Sequence, residues 1–238
     1  MKKNFVLGVS LLVLVCGLVS INCATKPVAQ SANSQQYDSE SDFHVEKSRD
    51  GKLIMITKYV GSKQTVNIPP TIQGLPVFWI GEGAFQYKPI VSITIPNSVE
   101  VIDYMAFSDC ENLTSITIPN SVRVIDVGAF ASCTNLASVI IGNSVTAIGK
   151  LAFAHCTSLA SITIPKSVTQ IGDDAFYGCH GLTSVKFEGT IASDKFSKGE
   201  VWTFPYDLRD KFYTTDKAKG TPGTYTRTND ESETWTKQ

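Results

Sequence analysis

Residues 92–114 read SITIPNSVEVIDYMAFSDCENLT, and residues 115–137 read SITIPNSVRVIDVGAFASCTNLA. Two further blocks of the same length follow without a gap, SVIIGNSVTAIGKLAFAHCTSLA over 138–160 and SITIPKSVTQIGDDAFYGCHGLT over 161–183. Sequence periods in the twenties are typical of solenoids, in which each repeat is one supersecondary unit that stacks on its neighbours. The block length of 23 residues therefore decides the fold class.

Each block has the pattern of one coil of such a solenoid. Ile162-Thr163-Ile164 alternates apolar and polar residues, which is typical of a half-buried strand, and Pro165 ends it. One coil cannot bury enough apolar surface to offset a backbone ordering cost of about 1–2 kcal/mol per residue, so the coils must stack. After the strand, apolar residues recur at spacings near four, which predicts a short helix or helical turn with one apolar face. In this block they are Ala175, Phe176, Cys179 and Leu182. Stacking predicts a single column of phenylalanines, formed by Phe107, Phe130, Phe153 and Phe176.

The sequence thus predicts an α/β repeat solenoid, a right-handed superhelix with a parallel sheet on one face. A fifth repeat start at Ser184 and a degenerate first copy extend the repeats over 64–187. Two alternating runs flank Asp50-Gly51, a dipeptide that suits a tight turn, and predict an N-terminal capping hairpin over 42–63. Residues 188–238, which contain many aromatic residues, are predicted to form a C-terminal cap and tail.

The N-terminus has the pattern of an export signal over residues 1–22. Lys2 and Lys3 precede an apolar run that is shorter than the ~20 residues needed to span a bilayer. Cys23 resembles the acylated cysteine of bacterial lipoproteins, which predicts lipidation; ordinary cleavage near Ala24 or Ala29 is the alternative. Residues 23–41 lack large apolar residues and predict a flexible tether.

The repeat motif LTSITIPNSVxxIxxxAFxxCxxL resembles the BspA-like subclass of bacterial leucine-rich repeats. The resemblance implies a non-enzymatic surface-displayed protein-binding module that adheres to host extracellular matrix proteins or to other cells. Together with the export signal and Cys23, it predicts an exported lipoprotein of the outer membrane or cell surface, held to the membrane by its lipid anchor. The alternative is a periplasm-facing structural or scaffolding lipoprotein without a host ligand.

Other chemistry finds little support in the sequence. A formal net charge of −1 provides no broad basic surface for nucleic acid. His155 precedes its repeat cysteine and His180 follows its own, so the two imidazoles do not converge on a zinc site. We expect no catalytic residues, metal or cofactor. The repeat cysteines predict a buried ladder of free thiols, with disulfides as the alternative: Cys110, Cys133, Cys156 and Cys179.

Two sets of residues are candidates for binding an extracellular or host protein, possibly a matrix protein or a glycan. Outward strand residues form polar columns that are either a binding surface or ordinary solvent-facing residues: Thr94, Thr117, Ile140 and Thr163. The second set is an apolar surface cluster, which self-association would also use: Phe78, Trp79, Val101, Tyr104 and Val124. The alternative for the second set is that the first copy or the hairpin folds over Phe78 and Trp79.

Overall fold

The computed structural model describes residues 36–197, 203–229 and 232–238. The predicted signal over 1–22, Cys23 and the tether up to residue 35 lie outside these ranges. Within them, no helix is both long enough and apolar enough to cross a membrane.

The described chain consists mainly of short strands, and its longest helix, α1, spans Leu208–Phe212. A single 3₁₀ turn over Glu40–Asp42 precedes the first strand. The strands are, in chain order, β1 Phe43–Lys47, β2 Ile54–Tyr59, β3 Thr65–Asn67, β4 Thr71–Ile72, β5 Leu75–Ile80, β6 Ser92–Thr94, β7 Val101–Ile102, β8 Ser115–Thr117, β9 Val124–Ile125, β10 Ser138–Ile140, β11 Ala147–Ile148, β12 Ser161–Ile164, β13 Gln170–Ile171, β14 Ser184–Phe187, β15 Gly223–Thr226 and β16 Thr236–Lys237.

The repeats form a solenoid in which each coil contributes a strand to two separate sheet regions. One sheet has the order β1-β2-β5-β7-β9-β11-β13, with β4 beside β5, and its repeat strands are parallel. A second sheet has the order β10-β8-β6-β3, and a third sheet has the order β12-β14-β15-β16. Pairing follows the repeat, since Ser138 lies beside Ser115 and Ile140 beside Thr117. The predicted parallel solenoid is confirmed, although its strands form three sheets and not the single predicted sheet.

The segment predicted as a short helix or helical turn is a series of turns, so the short helix of the two alternatives does not form. Met105 and Asp109 have positive φ values of 50° and 57°, and Leu151 and His155 repeat this in a later coil. Alternate backbone N–H groups in this segment bond to the next coil, as when Phe107 N donates to Ala129 O at 2.8 Å, and the groups between them close turns three residues back, as when Ser108 N donates to Met105 O at 3.0 Å. An α-helix needs those N–H groups for its own carbonyls four residues back. Stacking therefore overrides the helical spacing.

The core contains the predicted column of phenylalanines, and it is longer than predicted. Neighbouring rings from Phe85 to Phe176 stack with centroids 5.0–5.3 Å apart. Tyr59 and Phe43 extend the column at one end, and Phe204 stacks on Phe176 at 4.3 Å at the other. One aromatic column thus connects the hairpin, the coils and the C-terminal segment.

The N-terminal hairpin and residues before it lie against the first coil. β1 and β2 are antiparallel, and β2 then pairs in parallel with β5. Asp38 is buried, forms an ion pair with Lys63 and accepts a hydrogen bond from Asn67 N at 3.0 Å. Residues 36–41, which the sequence assigned to the flexible tether, are therefore part of the ordered structure.

The parallel stacking ends at β14. β15 pairs with β14 antiparallel, and β16 pairs with β15 antiparallel. An aromatic cluster packs beneath them, in which Phe187 lies 4.4 Å from Phe212 between ring centroids. Trp235 is buried and donates its indole N–H to Pro205 O at 2.8 Å. The segment predicted as a C-terminal cap and tail thus contains the antiparallel pair of β15 and β16.

Candidate binding surfaces

The first candidate surface is an apolar stripe on the outer face of the sheet that contains β5, β7, β9 and β11. Five side chains lie side by side on adjacent strands in register, and we call them the apolar stripe: Met55, Trp79, Val101, Val124 and Ala147. Gln170 on β13 ends the column. Trp79 is 38% exposed and the other members are half-buried. The solenoid period thus gathers apolar residues that are 22 to 24 positions apart in the sequence.

Phe78 and Trp79 lie beside Glu100 and Val101 of the next coil. Trp79 pairs with Val101, and Glu100 N donates to Phe78 O at 2.9 Å. The hairpin does not cover Trp79, because Met55 lies beside it in the sheet and lengthens the stripe. Phe78 is half-buried.

Met55 was not among the predicted site residues. Its alternation with buried Ile54 and Ile56 was the available signal that it faces outward.

Tyr104 lies just beyond the stripe, two residues after the buried Ile102. Its side chain is 39% exposed, and its carbonyl oxygen accepts a hydrogen bond from Gly83 N at 3.0 Å. Asp103 and Asp126 occupy equivalent positions near it and each accepts the N–H of the following residue at 2.7 Å. The ion pair between Arg123 and Glu100, at 3.0 Å, lies on the other flank of the stripe. An apolar centre is therefore bordered by polar groups.

The second candidate surface is the hydroxyl face, formed by the outward residues of β6, β8 and β10. Thr94, Thr117 and Ile140 line a groove of about 650 Å³, and Ile140 is 59% exposed. Thr163 is exposed on β12 and does not line this groove. Thr94 Oγ1 donates to Asn67 Oδ1 at 2.9 Å, so part of the hydroxyl column is already hydrogen-bonded.

Sequence reasoning missed the asparagines that form the border of this groove. Asn97, Asn120 and Asn143 occur at the same position of three successive blocks, and all three are exposed. Asn143 N donates to Asn120 Oδ1 at 2.8 Å, which fixes their spacing along the solenoid. The recurrence of Asn-Ser at this position was the signal in the sequence.

The two predicted sets do not form a single site, because they lie on different sheets. The stripe residues belong to the sheet of β5, β7, β9 and β11, whereas the hydroxyl face belongs to the sheet of β6, β8 and β10. Each surface therefore has to be tested separately.

The repeat cysteines are buried and form no disulfide, in agreement with the prediction of free thiols. Each donates its S–H to a phenylalanine carbonyl in the preceding coil, as Cys133 Sγ does to Phe107 O at 3.2 Å. Burial raises the pKa of Cys110 to about 12 and also raises the pKa values of Cys133 and Cys156. Such thiols are poor nucleophiles because the thiolate is the reactive form.

The two histidines of the repeats, His155 and His180, make different contacts. His155 is exposed and packs edge-on against Tyr177, whereas the carbonyl oxygen of His180 accepts a hydrogen bond from Arg227. In the ranges that the structure describes, no three His, Cys, Asp or Glu side chains are placed to hold a metal ion.

Comparison with known proteins gives a family. The family model "BspA type Leucine rich repeat region (6 copies)" matches residues 79–198, just over half of the chain. A leucine-rich repeat protein from T. pallidum is 34% identical with a TM-score of 0.62, over 63% of this chain and 71% of that chain. One from Bacteroides ovatus ATCC 8483 is 31% identical with a TM-score of 0.56, over 64% of this chain and 42% of that chain. No curated protein matches.

The family match indicates a general type of function. Leucine-rich repeat proteins are in general protein-interaction modules, and their solenoids are typically binding scaffolds without catalytic activity. The repeat spacing, the in-register stacking and the family match agree with one another. The chain belongs to the family of bacterial proteins with BspA-type leucine-rich repeats.

Proposed function

We propose that this protein is an exported, surface-displayed adhesion module that binds host extracellular matrix proteins through its apolar stripe. The observation that carries the proposal is the register of the sheet, which places Trp79, Val101 and Val124 side by side on one outer face. The predicted export signal and the Cys23 lipid anchor support display outside the cytoplasm.

The composition of the stripe suits a protein partner. Tryptophan and tyrosine are enriched among the residues that contribute most to protein interfaces, and Trp79 and Tyr104 are both more than one-third exposed. Polar groups such as Arg123 and Asp126 border the apolar centre, as in the rim of many interfaces. The surface is also held rigidly by backbone pairing between coils, which lowers the entropic cost of binding.

The direct test is the binding of purified protein to a panel of immobilised extracellular matrix proteins, comparing Trp79→Ala with Gln170→Ala. Both side chains lie in the same column, but Gln170 is at its polar end. We expect Trp79→Ala to weaken binding about 30-fold, since an interface hot spot contributes roughly 2 kcal/mol or more. Gln170→Ala should leave the affinity nearly unchanged.

Two outcomes would count against this proposal. Unchanged affinity of Trp79→Ala with a large loss of stability would assign Trp79 a structural role. Resistance of the protein to added protease on unbroken cells would favour the alternative of a periplasm-facing scaffold, because a displayed protein is accessible to protease.

The hydroxyl face is proposed as a second contact surface for a protein or glycan. It is nearly uncharged, so binding there should depend little on salt concentration. Ile140→Asp places a charge at the most exposed apolar residue of the groove. We expect this variant to weaken glycan or protein binding at the hydroxyl face, whereas Thr163→Asp, outside the groove, should not.

A further inference from the structure

A cavity of about 380 Å³ lies between the hairpin and the first coil. Its apolar lining comes from five residues of the hairpin and β5: Leu53, Ile54, Met55, Phe78 and Trp79. A volume of this size is within the range of pockets that bind small molecules, roughly 300–1,000 Å³, which are also mostly apolar.

The cavity depends on an irregularity in the sheet. Ile54 pairs with Val77, but the next residue, Met55, pairs with Trp79. Phe78 is therefore an extra residue without a partner on β2, as in a β-bulge. Bulges redirect side chains and occur next to functional sites. Here the half-buried Phe78 lines the cavity together with Leu53 from the hairpin loop.

The opposite wall is the turn of the hairpin, which its own hydrogen bonds hold in place. Ser48 Oγ donates to Asp50 Oδ1 at 2.6 Å and accepts the N–H of Leu53 at 3.0 Å. Gly51 adopts a φ of 71°, and its N–H donates to Ser48 O at 2.8 Å. Hydrogen bonds from the Ser48 side chain and the Lys52 backbone hold the pKa of Asp50 below its ordinary value. The wall is thus preformed.

Two cationic side chains also line the cavity. Lys47 and Arg49 are exposed, and in the described ranges neither forms an ion pair. The nearby carboxylate of Asp50 accepts hydrogen bonds from Ser48 Oγ and Lys52 N. The site therefore combines an apolar lining with unpaired positive charge.

We propose that this cavity binds a small apolar molecule that carries a carboxylate. The apolar part lies against Phe78 and Leu53, and the carboxylate faces Lys47 and Arg49. This binding site goes beyond the proposed adhesion and does not depend on it, because the small molecule needs no protein partner. The chemistry favours an alkyl or aryl carboxylate over a neutral apolar molecule of the same size.

The probe for this proposal is decanoate, with decanol as its uncharged counterpart. Titration into the ¹⁵N-labelled protein should give saturable shifts of the backbone amides of residues 47–55 and 77–79. The double variant Lys47→Ala/Arg49→Ala should weaken decanoate binding roughly three- to tenfold, as expected for two exposed charge contacts. Decanol binding should change by less than about twofold, because decanol has no charge to lose.

A matched control removes two exposed lysines that do not line the cavity, in Lys58→Ala/Lys166→Ala. This control should bind decanoate as the unaltered protein does. Leu53→Trp, which fills the cavity, should abolish the binding of both probes while thermal unfolding shows that the protein still folds. The proposal is overturned if decanoate gives no saturable shifts, if the shifts lie elsewhere, or if the control double variant weakens binding as much as Lys47→Ala/Arg49→Ala.

Discussion

The rings of Phe107 and Phe130 stack with their centroids 5.1 Å apart and their planes 3° from parallel. Both side chains are fully buried, and each also stacks on the phenylalanine of its other neighbouring coil. Stacked aromatic pairs contribute about 0.5–1.5 kcal/mol beyond the burial of their surface. Because each interior ring belongs to two such pairs, the column links the stability of neighbouring coils.

Replacing the central ring should therefore destabilise the protein strongly. We expect Phe130→Ala to lower the free energy of unfolding by roughly 3–5 kcal/mol, since it leaves a cavity and removes two stacked pairs. Urea unfolding monitored by circular dichroism measures the change. Phe130→Leu keeps most of the volume and should cost less, and the exposed Tyr104→Ala should cost least. A loss below about 1 kcal/mol for Phe130→Ala would contradict a tightly packed column.

The buried thiols predict a dependence of stability on pH above neutrality. Burial raises the pKa of Cys110 to about 12 in the folded protein, whereas an unfolded cysteine titrates near pH 8.5. Between these values the unfolded chain loses a proton that the folded chain keeps. Titration of this thiol therefore leaves the free energy of unfolding unchanged below about pH 8.5 and lowers it as the pH rises above that value. One such site contributes a slope of up to about 1.4 kcal/mol per pH unit.

The Cys110→Ala variant isolates this slope from other groups. We expect it to be less stable than the unaltered protein at pH 7, because a buried S–H donor to Phe85 O is lost. The difference between the two proteins should narrow from pH 9 to pH 11, since only the unaltered protein has this thiol. Urea unfolding at pH 7, 9, 10 and 11 measures the difference. A constant difference would show that burial does not hold the thiol protonated.

The sequence was sufficient for the features that follow from periodicity. The 23-residue period predicted the stacked strands and the phenylalanine column, because every coil repeats the same buried positions. The same reasoning did not decide between a short helix and turns in the segment that contains each phenylalanine. Met105 and Leu151 adopt positive φ there although neither is glycine, and the signal in the sequence was weak, since glycine occupies the equivalent position in only some of the coils, as Gly128 does.

Features that depend on contacts between non-repeating segments could not be predicted either. The bulge at Phe78 exists because β2 comes from the hairpin and not from a repeat, so the period does not set its register. Asp38 lies in a polar segment whose composition indicates a tether, but its carboxylate finds Asn67 N and Lys63 in the first coil. Local composition contains no information about such partners.

Asp38 should hold residues 36–42 against the first coil. The Asp38→Ala variant leaves the N–H of Asn67 without its side-chain acceptor and removes the ion pair with Lys63. A buried polar group that loses its partner costs about 1–3 kcal/mol, and we expect a local loss of that size. Faster hydrogen exchange at Asn67 and at residues 38–43 would show it. Lys63→Ala keeps the hydrogen bond from Asn67 N to Asp38 and should increase hydrogen exchange less. Equal increases in the two variants would show that this hydrogen bond does not hold residues 36–42 against the first coil.

Arg227 stabilises the C-terminal segment through the shape of its guanidinium group. The side chain is buried, and its Nε donates to Leu182 O at 2.6 Å while another nitrogen donates to His180 O. Its planar group also lies over the rings of Tyr206 and Trp235, at 5.1 and 5.6 Å from their centroids. One side chain thus connects carbonyl oxygens of the last coil to the C-terminal aromatic residues.

A lysine cannot reproduce this arrangement, because a single ammonium group lacks the planar fork that reaches both carbonyl oxygens and stacks on the rings. We expect Arg227→Ala to lower the free energy of unfolding by roughly 3 kcal/mol, since it leaves carbonyl oxygens of Leu182 and His180 without this donor. Arg227→Lys should recover less than half of that loss in urea unfolding. Arg123→Ala, which breaks an exposed ion pair with Glu100, should cost no more than about 1 kcal/mol. Full recovery by lysine would mean that charge alone, and not the fork, holds the C-terminal segment against the last coil.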